Sequence, residues 1–345
     1  MFMCDPPGRS DAESLINYGS SVHDSNYILF HDQEPIHLDT HIPLFEDAVR
    51  RNRDLNQNTG ATHQAIITSE YQSQAVEQVC SQFNWQHYYY FFHGWAALDW
   101  YRGYNKTFLI QPWADRVPTK TFIAPNRIIA GHRAHRLQML YWIFKLDMMD
   151  NHISCPKTCP AENVSIHDAI SPLLPQYPDI ASVFAKPPLP LNFAGEVNHP
   201  MHSCWLSLFD ECADSLLYLV TETVAQGQRQ HLTEKIFKPI ALGMPFMVVG
   251  TQGSLKYLRQ YGFKTFDGLW DESYDNEPDT AVRIQMIAQT LKGLDCLSPL
   301  HKQDIFKAAH SIIEHNWNHF YNGGFETVLW SEFTTMLQNL RKDFS

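Results

Sequence analysis

No apolar run in this chain approaches the roughly 18 residues that a membrane-crossing helix needs, so no transmembrane segment is expected. The opening stretch, residues 1–15, lacks a basic segment followed by an apolar core, so no secretory leader is read there. Seven cysteines, an odd number, make no closed disulfide framework and fit a reducing compartment. A soluble, cytoplasmic protein is therefore expected. Positive charge is scarce: 26 Lys and Arg against 37 Asp and Glu give −11, which argues against a broad nucleic-acid footprint and leaves room only for a local basic groove. No internal repeat, low-complexity tract or clear Asp-x-Asp motif is present. What is present is core material, with 44% hydrophobic residues and only 18% charged ones, so the chain is not a disordered one. At 345 residues it exceeds the usual span of a single core, and two domains are expected.

The chain alternates strand and helix patterns, which predicts an α/β fold built on parallel sheets. Residues 26–30, 63–68 and 88–92 read as strands, with a helix over 70–83 and a further extended piece over 106–113. The proline-bearing stretch 111–118 reads as a linker, so the expected domains are 1–117 and 118–345, with the last helices free to pack back on the first domain. The second half restarts with a strand at 121–124, a loop at 125–131 and an amphipathic helix from His132 to Met149. Residues 163–202 are proline-rich and aperiodic and read as an irregular insertion. Strands are expected at 215–220 and 263–266, and helices from Ser254, over 279–292 and over 302–320. Cys155 and Cys159 form a C-x3-C pair behind His152, but no fourth ligand stands at zinc-site spacing, so no metal is expected there.

The most informative stretch is His231–Gly250. Thr233 reads as an N-cap, Glu234 and Lys235 as first-turn residues, Gly243 as the helix stop, and Pro245–Val249 as a buried strand. Pro239 falls inside this helix and predicts a kink or a short first segment. A helix start presents unpaired N–H groups and a positive dipole end to an anion such as a diphosphate. Lys235 adds mobile positive charge, and Glu234 can accept from ribose hydroxyls. Thr-Glu-Lys also stabilises any ordinary helix start, so the neighbours decide. In a two-half α/β protein, ligands sit in a cleft beyond the carboxyl ends of the strands. Three loops converge there in the second half: one with Asn126, Arg127, His132 and Arg133, one with Glu222, and one with Thr233, Glu234 and Lys235. Cations beside carboxylates suit a nucleotide diphosphate with its ribose.

The order of these features resembles the donor-binding half of α-1,3-fucosyltransferases. In that family a Glu-Asn pair precedes a Tyr-Val-Thr-Glu-Lys helix start and a strand followed by glycine. Here Glu222-Thr223 stands where Glu-Asn is usual, and Leu232–Lys235 matches the second part. The resemblance spans residues 118–265. It implies a GT-B-like fold of two Rossmann-like domains whose parallel sheets face a central cleft, with the nucleotide sugar in the second domain and the acceptor over the first. It also implies Lys235 on the diphosphate and Glu234 on the ribose. The resemblance further implies Arg127 as a second phosphate contact, with Arg133 as its rival, and Glu222 as a residue that helps hold the sugar or the motif loop. Thr223 and Pro239 depart from the family pattern and leave the donor sugar open.

An inverting transfer needs a base for the acceptor hydroxyl. Asp32 and Glu34 lie just past the first strand and His93 past the third, with Asp99 as a further competitor; Glu34 is favoured. Trp95, Trp100, Tyr101 and Tyr104 suit either sugar stacking or a core. The acidic stretch 271–275 reads as a solvated loop or capping turn. The expected function is a glycosyltransferase acting without metal or cofactor beyond its nucleotide-sugar donor, on a carbohydrate or other hydroxyl acceptor. Two alternatives are a phage-type enzyme acting on hydroxymethylated DNA bases and a non-catalytic nucleotide-sugar-binding protein.

Overall fold

The computed structural model describes residues 26–55, 63–101, 117–193 and 205–344. The extended piece expected at 106–113, Tyr104, the residues before 26 and most of the linker lie outside them. The chain divides into two compact units, one of residues up to Ala96 with Gly227–His231 and Glu326 onward, the other Ala97–Gln226 with Leu232–Phe325.

The first unit contains β1 (Asn26–His31), α1 (Leu38–Leu55), β2 (His63–Thr68), α2 (Gln74–Phe83), β3 (Gln86–Tyr89) and the first half of α3 (Phe92–Tyr101). Its strands are parallel in the order β1-β2-β3. Strand side chains alternate between faces, and the central strand β2 is covered on both, so Ala65, Ile66 and Ile67 are all buried. Leu29 and Ile66 pack with Phe45, Val76, Val79 and Trp85. Ala65, Ile67, Tyr88 and Tyr90 pack with Met336 from the far end of the chain.

The second unit carries β4 (Lys120–Ala124), α4 (Ala134–Lys145), β5 (His152–Ile153), β6 (Thr158–Cys159), β7 (Val164–Ser165), α5 (Ile166–Ile170), α6 (Ile180–Phe184) and α7 (Phe209–Asp214). It continues with β8 (Ser215–Thr221), α8 (Glu234–Ala241), β9 (Phe246–Val249), α9 (Ser254–Gln260), α10 (Thr280–Asp295) and α11 (Pro299–Tyr321). The last helix, α12 (Gly324–Asp343), begins in this unit and runs into the first. The sheet order is β5-β4-β8-β9, all parallel. All seven residues of β8 are buried, as a central strand covered on both faces requires.

Several expected boundaries are corrected, each for a local reason. The helix expected from Glu70 starts at Gln74, because Ser73 caps it and Gln72 takes a left-handed φ of 49°. The third strand stops at Tyr89, and Phe92 and His93 instead open α3; the Phe91 N–H goes to the Glu332 carboxylate at 2.8 Å rather than to a strand. Residues 263–266 are not a strand. Lys264 exchanges both backbone bonds with the Asn316 amide at 2.7 and 2.9 Å, and the Phe266 N–H goes to Glu272 at 2.8 Å. Side chains have taken the ladder positions.

The helix expected to reach Met149 ends at Lys145, where the Met148 N–H returns to the Ile143 carbonyl with Asp147 at φ 51°. The described part of the expected irregular insertion holds β7, which pairs antiparallel with β6 just before it, and two short helices. Helices α1 and α12 carry no expectation in the sequence reading. Helix α8 passes through Pro239 over its eight residues and stops before Gly243, whose φ of +66° favours glycine. A Gly243→Ala variant should lose about 1 kcal/mol of unfolding free energy, read from a urea melt. An unchanged midpoint would mean that this turn relaxes freely.

Candidate functional site

At the carboxyl end of the second unit's sheet, buried polar groups join three chain segments. Asn126 follows β4 and is 2% exposed. Its carboxamide oxygen accepts from Thr221 Oγ1 at 3.0 Å, its Nδ2 donates to Ala124 O at 3.2 Å, and its backbone N–H donates to Ser154 Oγ at 2.8 Å. It links the ends of β4 and β8, so its amide is spent on the scaffold.

The carboxylate of Glu222, fully buried just past β8, also faces its own protein. Oε1 accepts from Thr233 N at 3.2 Å, while Oε2 accepts from Thr233 Oγ1 at 2.6 Å and Thr223 N at 3.3 Å. Of its two expected roles, these contacts serve the one of holding the motif loop. Burial pushes its carboxyl up, opposed by the Lys235 charge and the bonds from Thr233.

Thr233 is the N-cap of α8, accepting from Lys235 N at 3.5 Å. Lys235 lies in the first turn with its side chain 29% exposed. Its ammonium reaches Thr233 Oγ1 at 2.9 Å, Thr223 Oγ1 at 3.0 Å and Glu234 Oε1 at 3.1 Å. Three oxygens thus hold one partly accessible cation over a helix start, beside a buried carboxylate. A cation held in place at a helix start is an arrangement that can take an anion.

Below this layer lie two residues that sequence reasoning passed over. Arg136, 5% exposed, donates to Ile128 O at 2.7 Å and to Thr221 O and Glu222 O, each at 3.1 Å. His135 Nε2 meets the same Glu222 carbonyl at 2.9 Å, so this ring nitrogen carries the proton. Burial and the Arg133 charge lower Arg136 to about 10, and burial, with Arg136 next, lowers His135 to about 3. Arg136 shares a helical face with Leu140 and Ile143 by spacing. A charged residue on a core face was the readable signal. Arg133 is half-buried and close enough to act on Arg136; Arg127 is half-buried one residue beyond Asn126.

In the first unit, Asp32, Glu34 and His93 all fall at the carboxyl ends of β1 and β3. Asp32 is half-buried and accepts a hydrogen bond from the Tyr90 hydroxyl; burial raises its carboxyl. Glu34 is exposed. His93 is buried, with Nε2 2.8 Å from Gln33 O and its ring edge-on to His231 at 5.2 Å. Asp99 is an exposed residue of α3, and Tyr101 is fully buried. Trp95 packs edge-on to Trp330 at 4.7 Å. Sequence reasoning also passed over Glu70, which is 1% exposed. Its carboxylate takes the Ile36 N–H, Ser73 Oγ at 2.7 Å and Arg229 Nη1 at 3.1 Å.

The remaining candidates resolve into scaffold. The Asp275 carboxylate accepts from Leu255 N at 2.9 Å and Lys256 N at 3.0 Å, capping α9, and Asp271 accepts from Ser273 N at 2.8 Å. Cys159 donates to Glu162 Oε2 at 2.6 Å, and His152 pairs with Asp214 at 3.1 Å. Among the described residues no group of three His, Cys, Asp or Glu is arranged to hold a metal ion, and no helix is long and apolar enough to cross a membrane. No protein-family model matches this chain, and no curated protein or solved structure matches it.

Proposed function

We propose that this protein is an inverting glycosyltransferase of GT-B type that moves a sugar from a nucleotide-diphosphate sugar to a hydroxyl acceptor. Lys235 carries this reading: a pre-positioned ammonium at a helix start, beyond the carboxyl end of a parallel strand, with a carboxylate beside it. In this reading the second unit takes the nucleotide end and the first takes the acceptor. The leaving diphosphate gains negative charge as the glycosidic bond breaks. Lys235, the first turn of α8 and a nearby arginine, Arg127 or Arg133, stabilise that charge without a metal. Glu234 faces the ribose.

The acceptor proton needs a base. Of the three candidates Asp32 suits the task best, because burial brings its carboxyl closer to the working pH while Glu34 stays in solvent. The acceptor O–H gives its proton to Asp32, the oxygen bonds to the anomeric carbon, and the bonding pair of the cleaved C–O bond leaves with the diphosphate.

The test is a thermal-shift screen against GDP-, UDP-, CMP- and dTDP-sugars. One of them at about 100 times its Kd should stabilise the fold by about 2.7 kcal/mol, a rise of a few degrees. Lys235→Ala should keep its own melting point and weaken that ligand at least tenfold. If no nucleotide sugar shifts the melt, or if Lys235→Ala binds equally well, the reading fails.

A further inference from the structure

Three pieces of the second unit enclose a cavity of about 610 Å³: the end of α9, residues 263–276 and the middle of α11. That volume lies in the range of built binding sites, roughly 300–1,000 Å³. Five ionic side chains line it, those of Arg259, Lys264, Asp267, Asp271 and Glu272. Phe263 and Ile312 supply its apolar side. The wall is fixed by bonds already described. The Asn316 amide holds both backbone groups of Lys264, and Glu272 takes the Phe266 N–H at 2.8 Å and the Thr265 hydroxyl at 2.7 Å.

Of the five ionic groups only Arg259 and Glu272 pair with each other, at 3.3 Å. Arg259 is held by one nitrogen: Nη1 donates to Thr265 Oγ1 at 2.6 Å and to Glu272 Oε2. Its Nε and Nη2, which together form the side-on fork of a guanidinium, have no partner among the described residues, and the side chain is 44% exposed. Such a fork matches the two oxygens of a carboxylate.

Asp267 is exposed, and its carboxylate has no partner among the described residues. Burial raises the Glu272 carboxyl, and the Asp267 charge adds to that rise, so the two carboxylates stand close enough to repel. A cation beside Asp267 relieves that repulsion. Both Asp271 oxygens accept from Ser273, at 2.8 Å each, which leaves Asp267 as the available carboxylate. Thr265, which holds Arg259, and Asp267 are two residues apart, so their Cα atoms are separated by at most about 7 Å. Two extended residues of a ligand have the same reach. An anion alone would meet Asp267 and Asp271, and a cation alone would meet Arg259 and Lys264. A molecule carrying both signs answers both.

We propose that this cavity binds a dipeptide with free termini, its carboxylate in the Arg259 fork, its ammonium on Asp267 and an apolar side chain against Phe263 and Ile312. The site shares no residue with that of Lys235 and does not depend on the transferase reading.

Isothermal titration calorimetry at pH 7 with Ala-Leu, Leu-Ala, Leu-Leu and Phe-Leu tests it. At least one should bind with a Kd below about 1 mM. N-acetylating that dipeptide, or converting its carboxylate to the amide, should each weaken it at least tenfold. Asp267→Asn changes an exposed side chain and should keep the melting point. It should weaken the free dipeptide at least tenfold and leave the acetylated one, which has no ammonium, unchanged. Arg259→Lys keeps the charge without the fork and should also cost at least tenfold; if it shifts the melt through Glu272, Asp267→Asn decides alone. The proposal is overturned if none of the four dipeptides binds, if the blocked forms bind equally, or if Asp267→Asn changes nothing. Binding of inorganic phosphate or maltotriose in competition with the dipeptide and with equal affinity overturns it as well.

Discussion

Replacing Arg136 with leucine should lower the unfolding free energy by about 3–5 kcal/mol, measured in a guanidinium melt at pH 7. The guanidinium serves three carbonyls from two segments, Ile128 O, Thr221 O and Glu222 O, and no carboxylate. Removing it takes the Arg136 donors from the buried Ile128 and Thr221 carbonyls, at about 1–3 kcal/mol each, while Glu222 O keeps His135 Nε2 at 2.9 Å. The desolvation of Arg136 itself is recovered in the variant, so these costs do not simply add. Lysine at this position keeps the charge but not the planar fork, and should recover less than half of the loss. A leucine variant within 1 kcal/mol of the parent would show that the carbonyls find other donors. A lysine variant as stable as the parent would show that charge alone suffices.

The second large effect is on acid stability. His31 is 4% exposed, neither ring nitrogen has a hydrogen-bond partner, and His41 lies edge-on at 4.7 Å. Burial first, then the charges of His41 and His37, lower it to about 3. The sign follows from the two end states. The unfolded ring takes up a proton below its ordinary value of 6.5, while the folded ring stays neutral to about 3. The stability tied to this neutral ring is complete above 6.5 and is lost progressively as pH falls from there toward 3. Between pH 7 and pH 4 the loss amounts to about 3 kcal/mol.

Carboxyls raised by burial, Asp32, Glu70 and Glu222, act the other way and gain stability as they protonate in the fold. They are common to the parent and a His31→Phe variant and cancel in the difference. The parent should therefore lose about 3 kcal/mol more than His31→Phe over that interval, from urea melts at a series of pH values. Parallel curves would mean that His31 reaches solvent or a partner in solution.

The alternation of strands and helices was legible because parallel strands covered on both faces are written as apolar runs, as at 65–67 and 216–220. The start and stop of α8 were legible because Thr233 and Gly243 act through their own backbone. What was hidden depended on distant partners. Glu70 reads as an ordinary first-turn acid until Arg229 and the Ile36 N–H arrive around it. Residues 263–266 read as a strand because nothing local announces that Asn316 and Glu272 take up the backbone groups. Arg136 looked like one more cation in a helix, and only its position on a core face set it apart. Glu222 was recognised as part of the site, but the split of its two oxygens between Thr233 and Thr223 is a matter of geometry.

The first unit is assembled from three separated pieces of chain, and this has a consequence for the order in which the protein can form. Tyr88 bonds to Asp343 across 255 positions, and the Phe91 N–H to Glu332 across 241. A ribosome delivers residues in order, so β1, β2 and β3 leave the exit tunnel long before the helix that covers one of their faces. Until then the apolar side chains of Ala65, Ile67 and Tyr88 have no Met336 against them. The unit made first is thus the one finished last, and its bare sheet face spends most of translation as the surface that chaperones or neighbouring nascent chains will meet.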